Sequence, residues 1–168
     1  FDKQEPWFPC RKNDWVPLAD GTRGCVTSLS HEMVEMVQRG GSQKVYQTGD
    51  FLSQSPLNLS VNFRLKILFG ISYGLQAEST HGVLEILDAH IQEQIVGEGY
   101  EDVLLNLRVE FAQAGASSLD VVVIADFKGE AAPLYMRLSR AIQRWCVDAC
   151  TQNNWEIPFP QLTIHRES

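Results

Sequence analysis

Residues 105–127 read LNLRVEFAQAGASSLDVVVIADF, and the fold of the chain turns on them. Leu105, Leu107, Val109 and Phe111 alternate with Asn106, Arg108 and Glu110, the period of a strand with one apolar face. Gly115-Ala116-Ser117 follows as a turn, and Leu119 to Phe127 reads as the next strand. In that strand Val122 and Ile124 make the second face apolar as well.

Working outward, Val61, Phe63, Leu65, Ile67 and Phe69 alternate with Asn62, Arg64 and Lys66, another strand with one buried face. Ser79 or Thr80 is the expected N-cap of a helix that carries Val83, Leu84, Leu87, Ile91 and Ile95 on one side and closes near Gly97. Downstream, an amphipathic helix from about Ala131 to Cys150 sets Leu134, Leu138, Ile142, Trp145 and Ala149 in one stripe, with Pro133 tolerated in its first turn. The order β-α-β-β-α, with one more strand after it, is that of a split βαβ, ferredoxin-like sandwich. Helices on one sheet face leave the other wet. The apolar Val122, Ile124 and Leu68 there ask for a cover: the neighbouring β-domain, a loop or another subunit.

After the last helix, which ends at Asn153-Asn154, residues 155–165 read WEIPFPQLTIH. Pro158 and Pro160 fix φ and withhold amide donors, so Ile157 to Pro160, with Phe159 between the prolines, is expected to be an extended, polyproline-like strut. Leu162 and Ile164 then alternate with Thr163 and His165, a short strand with little chain left to pair it. Free strand edges find partners. The economical reading is an oligomerisation strand whose partners are identical strands from other subunits.

Upstream of the α/β region the pattern changes to short strands and tight turns. Asp20-Gly21, between Trp15-Val16 and Cys25-Val26, is a hairpin signal. So is Arg39-Gly40-Gly41-Ser42, between Met33–Val37 and Lys44–Tyr46. Pro17 is tolerable only at an edge or bulge. About five strands are expected in fewer than fifty residues, a small curled domain of Sm-like or SH3-like type, joined by a connector at Ser53 to Asn62. Trp7 and Phe8, between Pro6 and Pro9, look like an N-terminal hook. The expected class is α+β: a β-domain at 13–61, a ferredoxin-like α/β domain at 62–160, and a C-terminal intersubunit strand at 161–168.

Composition narrows the function. The 168 residues carry a formal net charge of −7, and no basic run exceeds Arg11-Lys12. A nucleic-acid partner wants clustered Lys and Arg, and an anionic membrane surface wants the same. The longest uninterrupted apolar run, Val121 to Ala125, is far short of the ~18 residues that span a bilayer. Opening on Phe1 rather than Met, without a signal-peptide pattern, the chain is expected to be a piece of a longer protein. Cys10, Cys25, Cys146 and Cys150 include no C-x-x-C pair, and free thiols in a reducing, cytosol-facing setting are expected.

Catalytic chemistry finds little support. Asp14 with Asp20, or Asp120 with Asp126, could supply an acid–base pair. Yet Asp20 sits in a turn signal, and the other two lie at opposite ends of one strand, so solvated carboxylates are expected. His31, His81, His90 and His165 lack metal-ligand spacing, and His81 and His90 are expected at the surface. Neither a nucleophile elbow nor a phosphate loop is present; Gly97-Glu98-Gly99 has the wrong flanks. No enzyme activity, cofactor or metal is expected.

Three stretches in order resemble one family. Asn13 to Val26, NDWVPLADGTRGCV, looks like the opening strands of the cytoplasmic part of small-conductance mechanosensitive (MscS-like) channels. Asn62 to Tyr73, NFRLKILFGISY, resembles that family's entry into its second cytoplasmic domain, and Ile157-Pro158-Phe159-Pro160-Gln161 before a short strand resembles its end. The usual Pro-Asn-Ser near the end of the first domain is absent; Gln47-Thr48-Gly49-Asp50-Phe51-Leu52 stands there, as in a divergent branch. The resemblance implies a membrane-embedded homo-oligomer, typically a heptamer, gated by bilayer tension and serving osmotic protection. Its parent would lie in the inner membrane, anchored by segments outside this chain, with this part forming a cytoplasmic cage that filters ions and small solutes. The alternative is a soluble ferredoxin-like regulatory or ligand-binding module, which has no need of a Pro-x-Pro strut before a lone strand.

Overall fold

A computed structural model describes residues 7–77 and 81–158. The expected N-cap at Ser79 or Thr80, and Phe159, Pro160 and the strand Leu162, Thr163, Ile164 and His165, lie outside the described residues. The class is α+β, with two antiparallel sheets and helices. By compactness the described residues up to Phe63, with Phe127–Pro133, form one unit. Arg64–Asp126, with the described residues from Leu134 on, form the other.

The first unit holds strands β1 (Trp15–Pro17), β2 (Arg23–Leu29), β3 (Met33–Gln38) and β4 (Gln43–Gln47), in that sheet order. Both hairpins form where their turn chemistry places them. Gly21 supplies φ +91° between β1 and β2, and the Asp20 carboxylate accepts the Thr22 amide at 2.8 Å. Gly40 and Gly41 supply φ +92° and +97° between β3 and β4. A bulge between Val26 and Ser28 shifts the alternation of β2, so that Val26 and Leu29, three apart, both turn inward. Pro17 closes a short outer strand.

Among the described residues of this unit four strands form the sheet where about five are expected. Residues 48–53 are instead a short helix, α1 (Thr48–Ser53), whose Phe51 is fully buried and stacks on Phe8 with ring centroids 6.2 Å apart. The hook is thereby placed: Phe8 belongs to this core, and Trp7 stays exposed. Part of the connector then runs beside β1, where Leu57 and Leu59 donate to the Pro17 and Trp15 carbonyls without forming a strand. Gly129 in the same unit lies against the Ser60 backbone, so close that a Cβ there would sit 1.8 Å from the Ser60 carbonyl oxygen.

The other sheet has the order β5-β7-β6, with β5 (Asn62–Ile71), β6 (Leu104–Ala114) and β7 (Leu119–Lys128). Phe63 stacks on Phe127, Arg64 pairs with Asp126, and Gly70 faces Asp120, a register that runs antiparallel. Phe63, Leu65 and Ile67 are buried, as their alternation requires. Val61 is not; it precedes the strand and is 67% exposed. β7, in the centre, is buried on both faces for most of its length. β6, at an edge, is only half covered: Leu105 and Phe111 remain exposed although they alternate as an apolar face.

Helix α2 (Gly82–Gly97) buries Val83, Leu87, Ile91 and Ile95, while Leu84 is half-buried. Two corrections concern the last helix. Residues 129–134 form a 3-10 turn that contains Pro133, and α3 (Tyr135–Asn153) starts only after it. Proline cannot continue the i to i−4 ladder, so the α-helical pattern begins beyond it. Leu134 is accordingly half-buried, and Leu138, Ile142, Trp145, Cys146 and Ala149 make the stripe, all at 0% exposure. Buried apolar side chains of this size are worth about 1.5–3 kcal/mol each by area transfer.

Candidate functional site

The stretch read from sequence as a strut and strand comes after α3, and the described residues reach Pro158. Asn154 ends α3 in the left-handed region (φ 58°), and the Trp155 amide reaches back to the Cys150 carbonyl at 2.9 Å. This is the Schellman pattern, which caps the helix and turns the chain sharply. Trp155 is half-buried, and the Glu156 carbonyl then accepts the Ser72 amide at 3.1 Å, just past the end of β5. Ile157 is exposed and Pro158 half-buried.

Beside that path lies the sheet face away from the helix stripes. Arg64 grips Asp126 with both arms of its fork, Nε to Oδ1 at 2.7 Å and Nη2 to Oδ2 at 3.1 Å, and Asn106 adds a longer bond at 3.4 Å. The Arg64 hydrogen bonds hold the Asp126 carboxyl below the ordinary carboxylate range, with burial opposing. Next along, Lys66, Leu68, Ala112, Gln113 and Val122 line an open groove of about 440 Å³. Leu68 is 58% exposed, as its face requires, whereas Val122 is buried among its own sheet neighbours.

At the Ser72 end of this sheet a polar knot replaces the expected solvated carboxylate. Asp120 is buried; its oxygens accept from Ser118 Oγ at 2.7 Å and Gln113 Nε2 at 3.1 Å. Gly70 and Gly115 make the room. A Cβ on Gly70 would meet Ser118 Oγ at 2.9 Å, and one on Gly115 would meet Asp120 Oδ2 at 3.1 Å. The Tyr73 hydroxyl donates to the Gly115 carbonyl.

The remaining acids also have structural partners. Asp14 accepts from the Arg11 amide at 2.7 Å and from Asn58 Nδ2 at 2.8 Å. Asp20 accepts from the Tyr46 hydroxyl at 2.7 Å and from the Thr22 amide, which hold its pKa well below the usual range. Glu98 accepts from Arg144 Nη2 at 2.9 Å and Trp145 Nε1 at 2.5 Å, tying the end of α2 to α3. None of these pairs two carboxylates.

His81 is exposed, but His90 is not: it is buried, and its Nε2 has no partner among the described residues. Position 90 is seven past Val83 and three past Leu87, on the apolar stripe of α2, a spacing that would have placed it inside. All four cysteines are free thiols. Burial pushes Cys10 and Cys146 up to about 12 and Cys150 up to about 11, so none of these three is an activated nucleophile. Among the described residues, no group of three or more His, Cys, Asp or Glu could hold a metal ion, and no helix is long and apolar enough to cross a membrane.

No protein-family model matches the chain, nor does any curated protein. Solved structures do. The closed-state crystal structure of MscS from Helicobacter pylori matches 95% of this chain with a TM-score of 0.67 and 19% identity. A cryo-EM structure of MSL1 from Arabidopsis thaliana matches 91% at TM-score 0.53 and 12% identity, and another, of the wild type, gives 0.56 and 11%. The chain spans 60% of the H. pylori protein and 54% and 52% of the two Arabidopsis ones. At these identities the likeness is one of fold. The resemblance to MscS-like channels carried by Asn13–Val26 and Asn62–Tyr73 thus holds in three dimensions.

Proposed function

We propose that this chain is the cytoplasmic region of a tension-gated MscS-like channel: an Sm-like or SH3-like β-domain (13–61), a ferredoxin-like α/β domain (62–160) and a C-terminal intersubunit strand (161–168). The observation that carries the reading is the fold match over 95% of the chain to H. pylori MscS. In this reading the parent protein lies in the inner membrane through segments outside this chain. The present residues form part of a cytoplasmic cage that holds the subunits, seven in this reading, in register and screens ions and small solutes on their way to the pore. Leu162, Thr163, Ile164 and His165 supply one stave of an intersubunit barrel, and Pro158, Phe159 and Pro160 the strut that leads to it. Parallel staves related by rotation satisfy one another's backbone groups and leave no free edge. No catalysis, cofactor or metal is assigned.

The test is electrical. The parent gene, expressed in spheroplasts lacking their own mechanosensitive conductances, should give a current that opens with suction on the patch. A membrane-inserted parent that stays silent up to the lytic tension overturns the channel reading.

A further inference from the structure

Within the first unit, the segment before β1 and the connector before β5 enclose a small pit. The Asp14 amide donates to the Arg11 carbonyl at 3.1 Å, and the Asp14 carboxylate takes the Arg11 amide through Oδ2 at 2.7 Å. Asn13 makes this tight turn from the left-handed region, at φ 76°. Asn58 then clamps the two segments together. Its Nδ2 donates to Asp14 Oδ2 at 2.8 Å and to the Pro9 carbonyl at 3.3 Å, while its Oδ1 accepts the Ser60 amide at 2.9 Å. Both hydrogens and the oxygen of that carboxamide are engaged in holding the walls.

The pit has a volume of about 310 Å³, and Phe8, Arg11, Asp14, Ser60 and Val61 are among the residues that line it. That is the lower end of the ~300–1,000 Å³ usual for small-molecule pockets, and room for about ten waters at ~30 Å³ each. Three of its polar groups have capacity left. Asp14 Oδ1 accepts no hydrogen bond among the described residues, since both bonds to this carboxylate go to Oδ2. Ser60 Oγ accepts the Trp15 amide at 3.0 Å and keeps its own proton to give. Arg11 is exposed, and its guanidinium enters no hydrogen bond or ion pair among the described residues. Phe8 and the exposed Val61 add apolar surface.

One carboxylate and one guanidinium leave the pit neutral in sum but with two poles. A simple cation is repelled by Arg11, and a simple anion by Asp14; a ligand carrying both charges satisfies both. We propose that this pit binds a small zwitterion of the α-amino acid class with an apolar side chain. The ammonium donates to Asp14 Oδ1, the carboxylate accepts from Ser60 Oγ and Arg11, and the side chain lies against Phe8 and Val61. Asp14 and Ser60 stand at the two ends of the Asn58 carboxamide, so a fixed group spaces them before any ligand arrives. The site lies wholly within the first unit and rests on no assumption about assembly or conduction. It is open to water, where each charged contact is worth little, so the affinity is low, with a Kd of about 1 mM.

L-leucine titrated into the full chain should shift the NMR signals of the Asp14, Ser60 and Val61 amides, half-saturating at about 1 mM. Leucinamide lacks the carboxylate and 4-methylpentanoate lacks the ammonium, and each should bind about tenfold more weakly. Arg11→Gln should weaken leucine about tenfold and leave leucinamide unchanged, because the guanidinium meets only the carboxylate. Its side chain holds nothing in the fold, so its thermal melt should match that of the parent. Asp14→Asn should weaken leucine and leucinamide and spare 4-methylpentanoate; where loss of the turn unfolds it, Arg11→Gln decides alone. The site is refuted if leucine gives no saturable shift up to about 50 mM, or saturates only amides elsewhere. It is refuted equally if leucinamide and 4-methylpentanoate bind as tightly as leucine, or if Arg11→Gln weakens leucine and leucinamide alike.

Discussion

Gly129→Ala tests the packing of the first unit most directly. An ideal Cβ at Gly129 lies 1.8 Å from the Ser60 carbonyl oxygen, 2.3 Å from its carbon and 2.8 Å from the Val61 oxygen. Ordinary contact begins at 3.4 Å, so one backbone segment must retreat by 3.4 − 1.8 = 1.6 Å. All three atoms are main-chain, and no rotamer change can relieve them. Overpacking that side chains can absorb costs about 1–3 kcal/mol. Without that escape the cost should reach the upper end, about 3 kcal/mol, a large share of the ~5–15 kcal/mol that holds a typical domain. For a unit of this size each kcal/mol moves the melting temperature by about 4–8 °C, so a fall of about 12–24 °C is expected by differential scanning calorimetry. Gly49→Ala is the matched control. It lies in α1 of the same unit, has no heavy atom within 4 Å of a built Cβ, and has no positive φ. It should gain about 0.4–1 kcal/mol by stiffening the unfolded chain. A Gly129→Ala protein that melts within about 3 °C of the parent, or a Gly49→Ala protein that loses as much as Gly129→Ala, would refute the reasoning.

Truncation after Pro160 should weaken assembly far more than folding, checked by sedimentation velocity and thermal melts; collapse of the whole fold would instead show that the removed strand pairs within its own chain. His90→Leu should stabilise the second unit by about 1 kcal/mol in urea titration, because it removes a buried nitrogen that lacks a partner among the described residues; a loss of that size would count against the orphaned nitrogen. Hydrogen bonds from Arg64 and Arg144 hold Asp126 and Glu98 below their ordinary pKa values of 3.8 and 4.5. A depressed carboxyl contributes stability above its unfolded pKa and loses it as pH falls toward the folded value, so stability should decline below about pH 4.5. Asp126→Asn with Glu98→Gln should flatten that acid slope, and an unchanged slope would remove these two pairs from the account.

Local chemistry made much of the fold legible in the sequence. Asp20-Gly21 and Gly40-Gly41 mark hairpins because positive φ is a property of the residue and not of its surroundings. The alternation from Phe63 to Ile67 and the stripe from Leu138 to Ala149 place Trp145 in the core because each period belongs to one element.

Packing between elements decided the rest. Phe51 makes residues 48–53 a helix because the Phe8 ring is there to receive it, a contact between positions far apart in the chain. Asp120 is buried because Gly70 and Gly115, on two other segments, leave space for its carboxylate. His90 went inside with the α2 stripe although its Nε2 finds no partner among the described residues, since a rigid helix turns all residues of one face together. The outer place of β5 among the described strands is likewise a matter of strand order, since it depends on where β7 inserts.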